Sequence, residues 1–220
     1  MERHVDEELA SLKQQLIRLC ALAETMIAEA VRMLVDRDAA AAAPLMAHEA
    51  EADRMQVEID ETCLRLIALF QPAAGDLRFI LGAAKANTDL ERMGDLAVNI
   101  SHKAERLLTE PPLKPFTVIS EMAAVAIGMV KESLHGYVNR QADRARGVLQ
   151  RDRQLNDMKA AVAAELADIM MRDPAAVPRA LDILGVSRNL ERVGDHAKNM
   201  AEHTIFVVEG KDVRHQGEGA

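Results

Sequence analysis

The amino-acid sequence predicts an all-α protein made of two pseudo-symmetric three-helix bundles, six long antiparallel helices in all. Three observations carry that prediction. Aromatic residues are only 2% of the 220, with 11 Gly and 7 Pro, so the residues that strands and their turns draw on are scarce. Ala, Leu, Met and Glu, the strongest helix formers, fill long stretches instead. A decapeptide beginning at Leu90 also returns almost unchanged 100 residues later, the mark of an internal repeat.

The first helix is expected over residues 5–36. Val5, Leu9, Leu12, Leu16, Leu19, Ala23, Met26, Ala30 and Met33 alternate spacings of four and three, a heptad stripe. The second is expected from about Asp38 to Phe70, ended by Gln71-Pro72-Ala73-Ala74-Gly75-Asp76. A third follows over 77–108. Three of the seven prolines then fall between Glu110 and Pro115, the best boundary in the chain. The same plan repeats with helices near 117–140, 141–172 and 175–208, the last break marked by Asp173-Pro174 and Pro178. The organisation is therefore residues 1–110 as one repeat, 111–116 as linker, 117–209 as the second repeat and 210–220 as a flexible tail.

Composition excludes several functions. A net charge of −8 with scattered Lys and Arg opposes nucleic-acid binding. No run free of charged residues exceeds ten, so no membrane span is expected, and the start lacks the pattern of a secretory signal. Cys20 and Cys63 lie among apolar residues without metal-ligand spacing, as buried free thiols of a cytosolic protein do. The methionines read as core. Leu184-Gly185-Val186-Ser187-Arg188-Asn189 looks like a helix-turn-helix turn, but its first-half counterpart is mid-helix. Glu132-x-x-His135 has diiron spacing and occurs once, whereas a ferritin-like site needs two.

The chemistry lies in the repeated block. Leu90-Glu91-Arg92-Met93-Gly94-Asp95-Leu96-Ala97-Val98-Asn99 and Leu190-Glu191-Arg192-Val193-Gly194-Asp195-His196-Ala197-Lys198-Asn199 agree at seven of ten positions. Glu, Asp and Asn at i, i+4 and i+8 line one stripe of a helix. In an antiparallel hairpin, residues at one level share an index sum. Glu49 with Asp95 and Asp53 with Glu91 both give 144, centred on the breaker Pro72. Asp152 with Asp195 and Asn156 with Glu191 both give 347, centred on Asp173-Pro174. Four oxygen side chains are thus level in each half, while their rotational face is not fixed by spacing.

Clustered like charges repel unless a cation neutralises them, and all-oxygen donors favour hard ions such as Mg, Ca or Mn, with Fe also suited. The candidate metal residues are Glu49, Asp53, Glu91, Asp95 and Asn99, with Asp152, Glu191, Asp195 and Asn199 in the second half. Gly94 and Gly194, each costing about 1 kcal/mol inside a helix, suggest close approach by another backbone or a ligand. His102 and His196 lack histidine counterparts and read as surface residues.

These residues resemble the PhoU family of phosphate-uptake regulators. Gln71-Pro72-Ala73-Ala74-Gly75-Asp76-Leu77-Arg78-Phe79-Ile80 is similar to its inter-helix signature, the two Leu-Glu-Arg-x-Gly-Asp-x-Ala-x-Asn blocks to its repeated motif, and the run from Phe206 to His215 to its C-terminal ending. The resemblance implies Fe, Mn, Mg or Zn on the carboxylate stripes, with Asn156 departing from the family's acid. It implies a cytoplasmic, non-enzymatic negative regulator, peripheral at the inner membrane through two partners, the phosphate ABC transporter ATPase and a sensor histidine kinase. A homo-oligomer, a dimer, is the expected assembly. The alternative is a carboxylate-bridged di-metal oxidase of ferritin-like type, disfavoured by the single Glu-x-x-His.

Overall fold

A computed structural model describes residues 2–113, 116–211 and 213. Among these residues six α-helices form: α1 Glu2–Val35, α2 Ala42–Phe70, α3 Ala74–Leu108, α4 Thr117–Val138, α5 Ala142–Arg172 and α6 Val177–Glu209. No strand occurs among the described residues. Lys114 and Pro115 of the expected linker, and Asp212 and residues 214–220 of the expected tail, lie outside them.

The helix boundaries differ from expectation where capping decides them. α2 begins four residues late because the Asp38 carboxylate accepts from the Ala40 amide at 3.0 Å and caps a 3₁₀ turn, Ala39–Ala41. Asp173 does the same for Pro174–Ala176, accepting from Ala175 at 3.0 Å, so α6 starts at Val177. α3 starts three residues early, since the Ala73 carbonyl already receives the amides of Asp76 and Leu77 at 2.9 Å. α1 and α4 are each followed by an arginine in the left-handed region, Arg37 at φ 55° and Arg140 at φ 53°. Those two positions are equivalent in the repeat, so the backbone repeats along with the residues.

The heptad stripe of α1 is the core: from Leu9 to Met33 each of its members is buried. α2 packs on α1 and α3, and α5 packs on α4 and α6. α1 faces α4 and α3 faces α6, so the four inner helices join both halves in one continuous apolar cluster. Tyr137, the one tyrosine, pins this junction from α4. Its ring stacks on Phe79 of α3 at 5.0 Å, and its hydroxyl donates to the Phe79 carbonyl. Gly82 makes room for it, because a Cβ there would stand 3.0 Å from the Tyr137 ring. Arg37 closes the end of α3, donating to the carbonyls of Leu108 at 2.6 Å and Glu110 at 3.1 Å.

Candidate carboxylate site

The first-half acids sit where α2 and α3 run side by side. Glu91, Asp95 and Asn99 follow one another by single turns of α3, and Glu49 and Asp53 do so on α2. The charge of Asp95 reaches Glu49, and that of Asp53 reaches Glu91, so acids of the two helices lie in each other's field. Burial raises the pKa of Glu49 above the ordinary value, Asp53 and Asp95 raise it further, and His102 opposes them. For Glu91, burial and then Asp95 act upward, with Asp53, against Arg92 and His196. Arg92 stands 3.3 Å from Asp95 and 3.6 Å from Glu91, but it is 58% exposed and its charge is shared with solvent. Asn99 is exposed beyond them.

The second half repeats the frame with different chemistry. Burial raises the pKa of Asp195, and Glu191 and Asp152 add to it against Lys198 and His196. Two lysines enter this stripe. Lys159 of α5 donates to Glu191 at 2.6 Å, and Lys198 of α6 donates to Asp152 at 3.1 Å. Burial works against the Lys198 charge, yet its hydrogen bond to Asp152 and the neighbouring acids hold its pKa above the ordinary lysine value. Asn199 is exposed, as Asn99 is.

Among the described residues, no three His, Cys, Asp or Glu side chains converge as a group that could hold a metal ion. The first half has four carboxylates on adjacent helices, two of them held toward protonation, with Arg92, His102 and His196 as the opposing groups.

Other residues singled out in the sequence take the following places. His196 is no free surface residue: its Nδ1 lies 2.9 Å from Asp89 of α3, and Asp89 is buried at the α3–α6 junction. The repeated glycines answer to neighbouring side chains. A Cβ on Gly194 would stand 2.4 Å from Leu155 Cδ2, whereas one on Gly94 would meet Met26 Cε at 3.4 Å. The stretch Leu184–Asn189 lies inside α6 and forms no turn. Glu132 pairs with Arg144 at 2.8 Å, and His135 lies beside Asn139. Both cysteines are buried and free. No described helix is long and apolar enough to cross a membrane.

With this geometry in place, comparison with known proteins is decisive. The PhoU domain family matches residues 16–104 and again 119–204. The chain belongs to the PhoU family. Each PhoU match contains one whole carboxylate stripe. A Pseudomonas aeruginosa protein named phosphate-specific transport system accessory protein PhoU homolog is 35% identical over 99% of this chain and 90% of its own. One of the same name from Aquifex aeolicus is 36% identical over 96% and 95%. The crystal structure of PhoU from Pseudomonas aeruginosa superposes with a TM-score of 0.90 at 34% identity, covering 94% of this chain and 99% of that one. The phosphate transport system regulatory protein PhoU from Streptococcus pneumoniae gives 0.87 at 27% identity, covering 95% and 99%. PhoU proteins thus share the six-helix architecture seen here.

Proposed function

We propose that this chain is an accessory protein of a phosphate transport system, and a cytoplasmic negative regulator of phosphate uptake and phosphate-starvation signalling. It acts by contact with the transporter ATPase and the sensor histidine kinase, as a homodimer and without catalysis of its own. The observation that carries this reading is the match along nearly the whole chain to relatives named as phosphate-specific transport system accessory proteins. A net charge of −8 supports it, since an acidic surface suits protein partners better than nucleic acid.

Metal binding is part of the proposal. Glu49, Asp53, Glu91 and Asp95 would hold a hard cation, with Asn99 as a neutral donor at the end of the stripe. A bound ion supplies positive charge where like charges face each other, and so fixes two neighbouring helix faces as one surface. Without it, Arg92 offsets part of that charge, with His102 and His196. The test is the affinity of purified ATPase and kinase for the wild type and for Glu91→Gln/Asp95→Asn, each with Mn²⁺ and with chelator. Weaker binding of the variant, and of chelated wild type, supports an ion that organises the contact surface. Equal affinities in all four conditions would separate the carboxylates from partner binding.

A further inference from the structure

We propose that Lys159 and Lys198 are resident counter-ions of the second carboxylate stripe, so that this half takes no metal ion. The experiment below rests on the metal reading above for the first half. Pseudo-symmetry by itself leads one to expect two equal sites, and the side chains break that equality.

In the second half every acid of the stripe lies in the field of an ammonium group. Lys159 holds Glu191 at 2.6 Å from α5, and Lys198 holds Asp152 at 3.1 Å from α6. Each bond crosses between α5 and α6, the two helices that an ion would have to bridge. Asp195 is the third acid, and Lys198 and His196 both act on it. The fourth position is Asn156, which brings no charge. The lysines are about a third exposed while Glu191 and Asp152 are 15% and 13% exposed, so the pairs lie at the edge of the packed interface. An incoming divalent cation would have to displace two ammonium groups already bonded to its donors. The repeat positions equivalent to Lys159 and Lys198 in the first half are Gln56 and Val98, neither of which carries charge. Arg188 lines the surface groove beside Lys159 and Glu191, where its charge further disfavours a cation, and its first-half counterpart is the uncharged Thr88. Lysine pairing does for the second half part of what a metal ion would do for the first: it offsets repulsion between facing acids, although Asp195 stays raised by Glu191 and Asp152.

The deciding experiment measures Mn²⁺ binding to the full chain after chelation and dialysis, by the electron paramagnetic resonance signal of the free ion, with thermal melting alongside. Wild type should lose its bound Mn²⁺ in Glu91→Gln/Asp95→Asn and keep it in Glu191→Gln/Asp195→Asn. In the Glu91→Gln/Asp95→Asn background, Lys159→Gln/Lys198→Val copies the first-half residues and should raise Mn²⁺ affinity by about tenfold or more, the equivalent of ~1.4 kcal/mol. Lys159→Met/Lys198→Met repeats the test with both apolar stems in place, and Lys159→Arg/Lys198→Arg should leave binding unchanged. Loss of Mn²⁺ from Glu191→Gln/Asp195→Asn in the wild-type background overturns the proposal. So does an unchanged affinity in both neutral lysine variants. Wild type that binds no Mn²⁺ at all overturns the first-half metal reading instead, while a gain confined to the lysine variants still supports resident counter-ions.

Discussion

Gly94 and Gly194 occupy the same place in the repeat, and alanine should act on them in opposite directions. At Gly194 a new Cβ would lie 2.4 Å from Leu155 Cδ2, against about 3.5–4.0 Å for an ordinary carbon contact. Leu155 is fully buried, so its methyl cannot swing into solvent and the displacement must be absorbed by the core. Overpacking of this kind costs about 1–3 kcal/mol, and the helix propensity of Ala over Gly returns roughly 1 kcal/mol. Gly194→Ala should therefore lose up to about 2 kcal/mol. At Gly94 the nearest atoms are Met26 Cε at 3.4 Å and Sδ at 3.7 Å, the end of a flexible side chain. Gly94→Ala should be neutral or gain up to about 1 kcal/mol. The difference has a visible source, because the first-half counterpart of Leu155 is Ala52. Urea unfolding followed by circular dichroism, in chelator, reads both variants. In a Leu155→Ala background the Gly194→Ala penalty should vanish, since the clashing methyl is gone. Equal shifts for the two alanines, or a penalty that survives Leu155→Ala, would refute the packing argument.

Other expectations follow from the same contacts. Asp89→Asn removes the charged partner of His196 across the α3–α6 junction and should cost about 1–3 kcal/mol, read as a lowered urea midpoint. Glu49 and Glu91 bind protons more readily in the folded protein than in the unfolded chain, so stability falls as pH rises through their raised pKa values. Glu49→Gln and Glu91→Gln should accordingly melt higher than wild type at neutral pH and low salt in chelator, with the advantage gone below the ordinary glutamate pKa. Unchanged differences across that window would contradict the linkage. Burial, with Asp60 adding to it, pushes the Cys63 thiol up to about 12, and burial and Glu24 push Cys20 up as well. Both should resist a thiol reagent in the native state and react on unfolding.

The fold was largely legible because its signals are periodic. Heptad spacing marked α1, Pro and Gly marked the breaks, and the repeated decapeptide announced the second half. Index sums placed the facing acids at one level, but the shared face depends on how α2 and α5 rotate against their neighbours, and local spacing carries no such information. The seven matching positions of the repeated block carry its symmetry, and the other three break it. The three mismatches are Met93 against Val193, Leu96 against His196, and Val98 against Lys198. Two of them carry the chemistry that distinguishes the halves: His196 joins Asp89 of the other half, and Lys198 holds Asp152. Lys159 was harder to find, because it lies outside the block and only the repeat offset pairs it with Gln56. A glycine inside a helix signals close approach without naming the neighbour; Gly194 accommodates the Leu155 side chain, a long-range contact between α5 and α6.

The regulatory role is tested most directly by phosphate uptake in intact cells. Cells lacking this chain, grown in abundant phosphate, should keep importing labelled phosphate at the rate of starved cells, and a plasmid copy should restore restraint. A copy carrying Glu91→Gln/Asp95→Asn, present at wild-type level, should restore it incompletely. Normal restraint of uptake in cells without the chain would contradict the account.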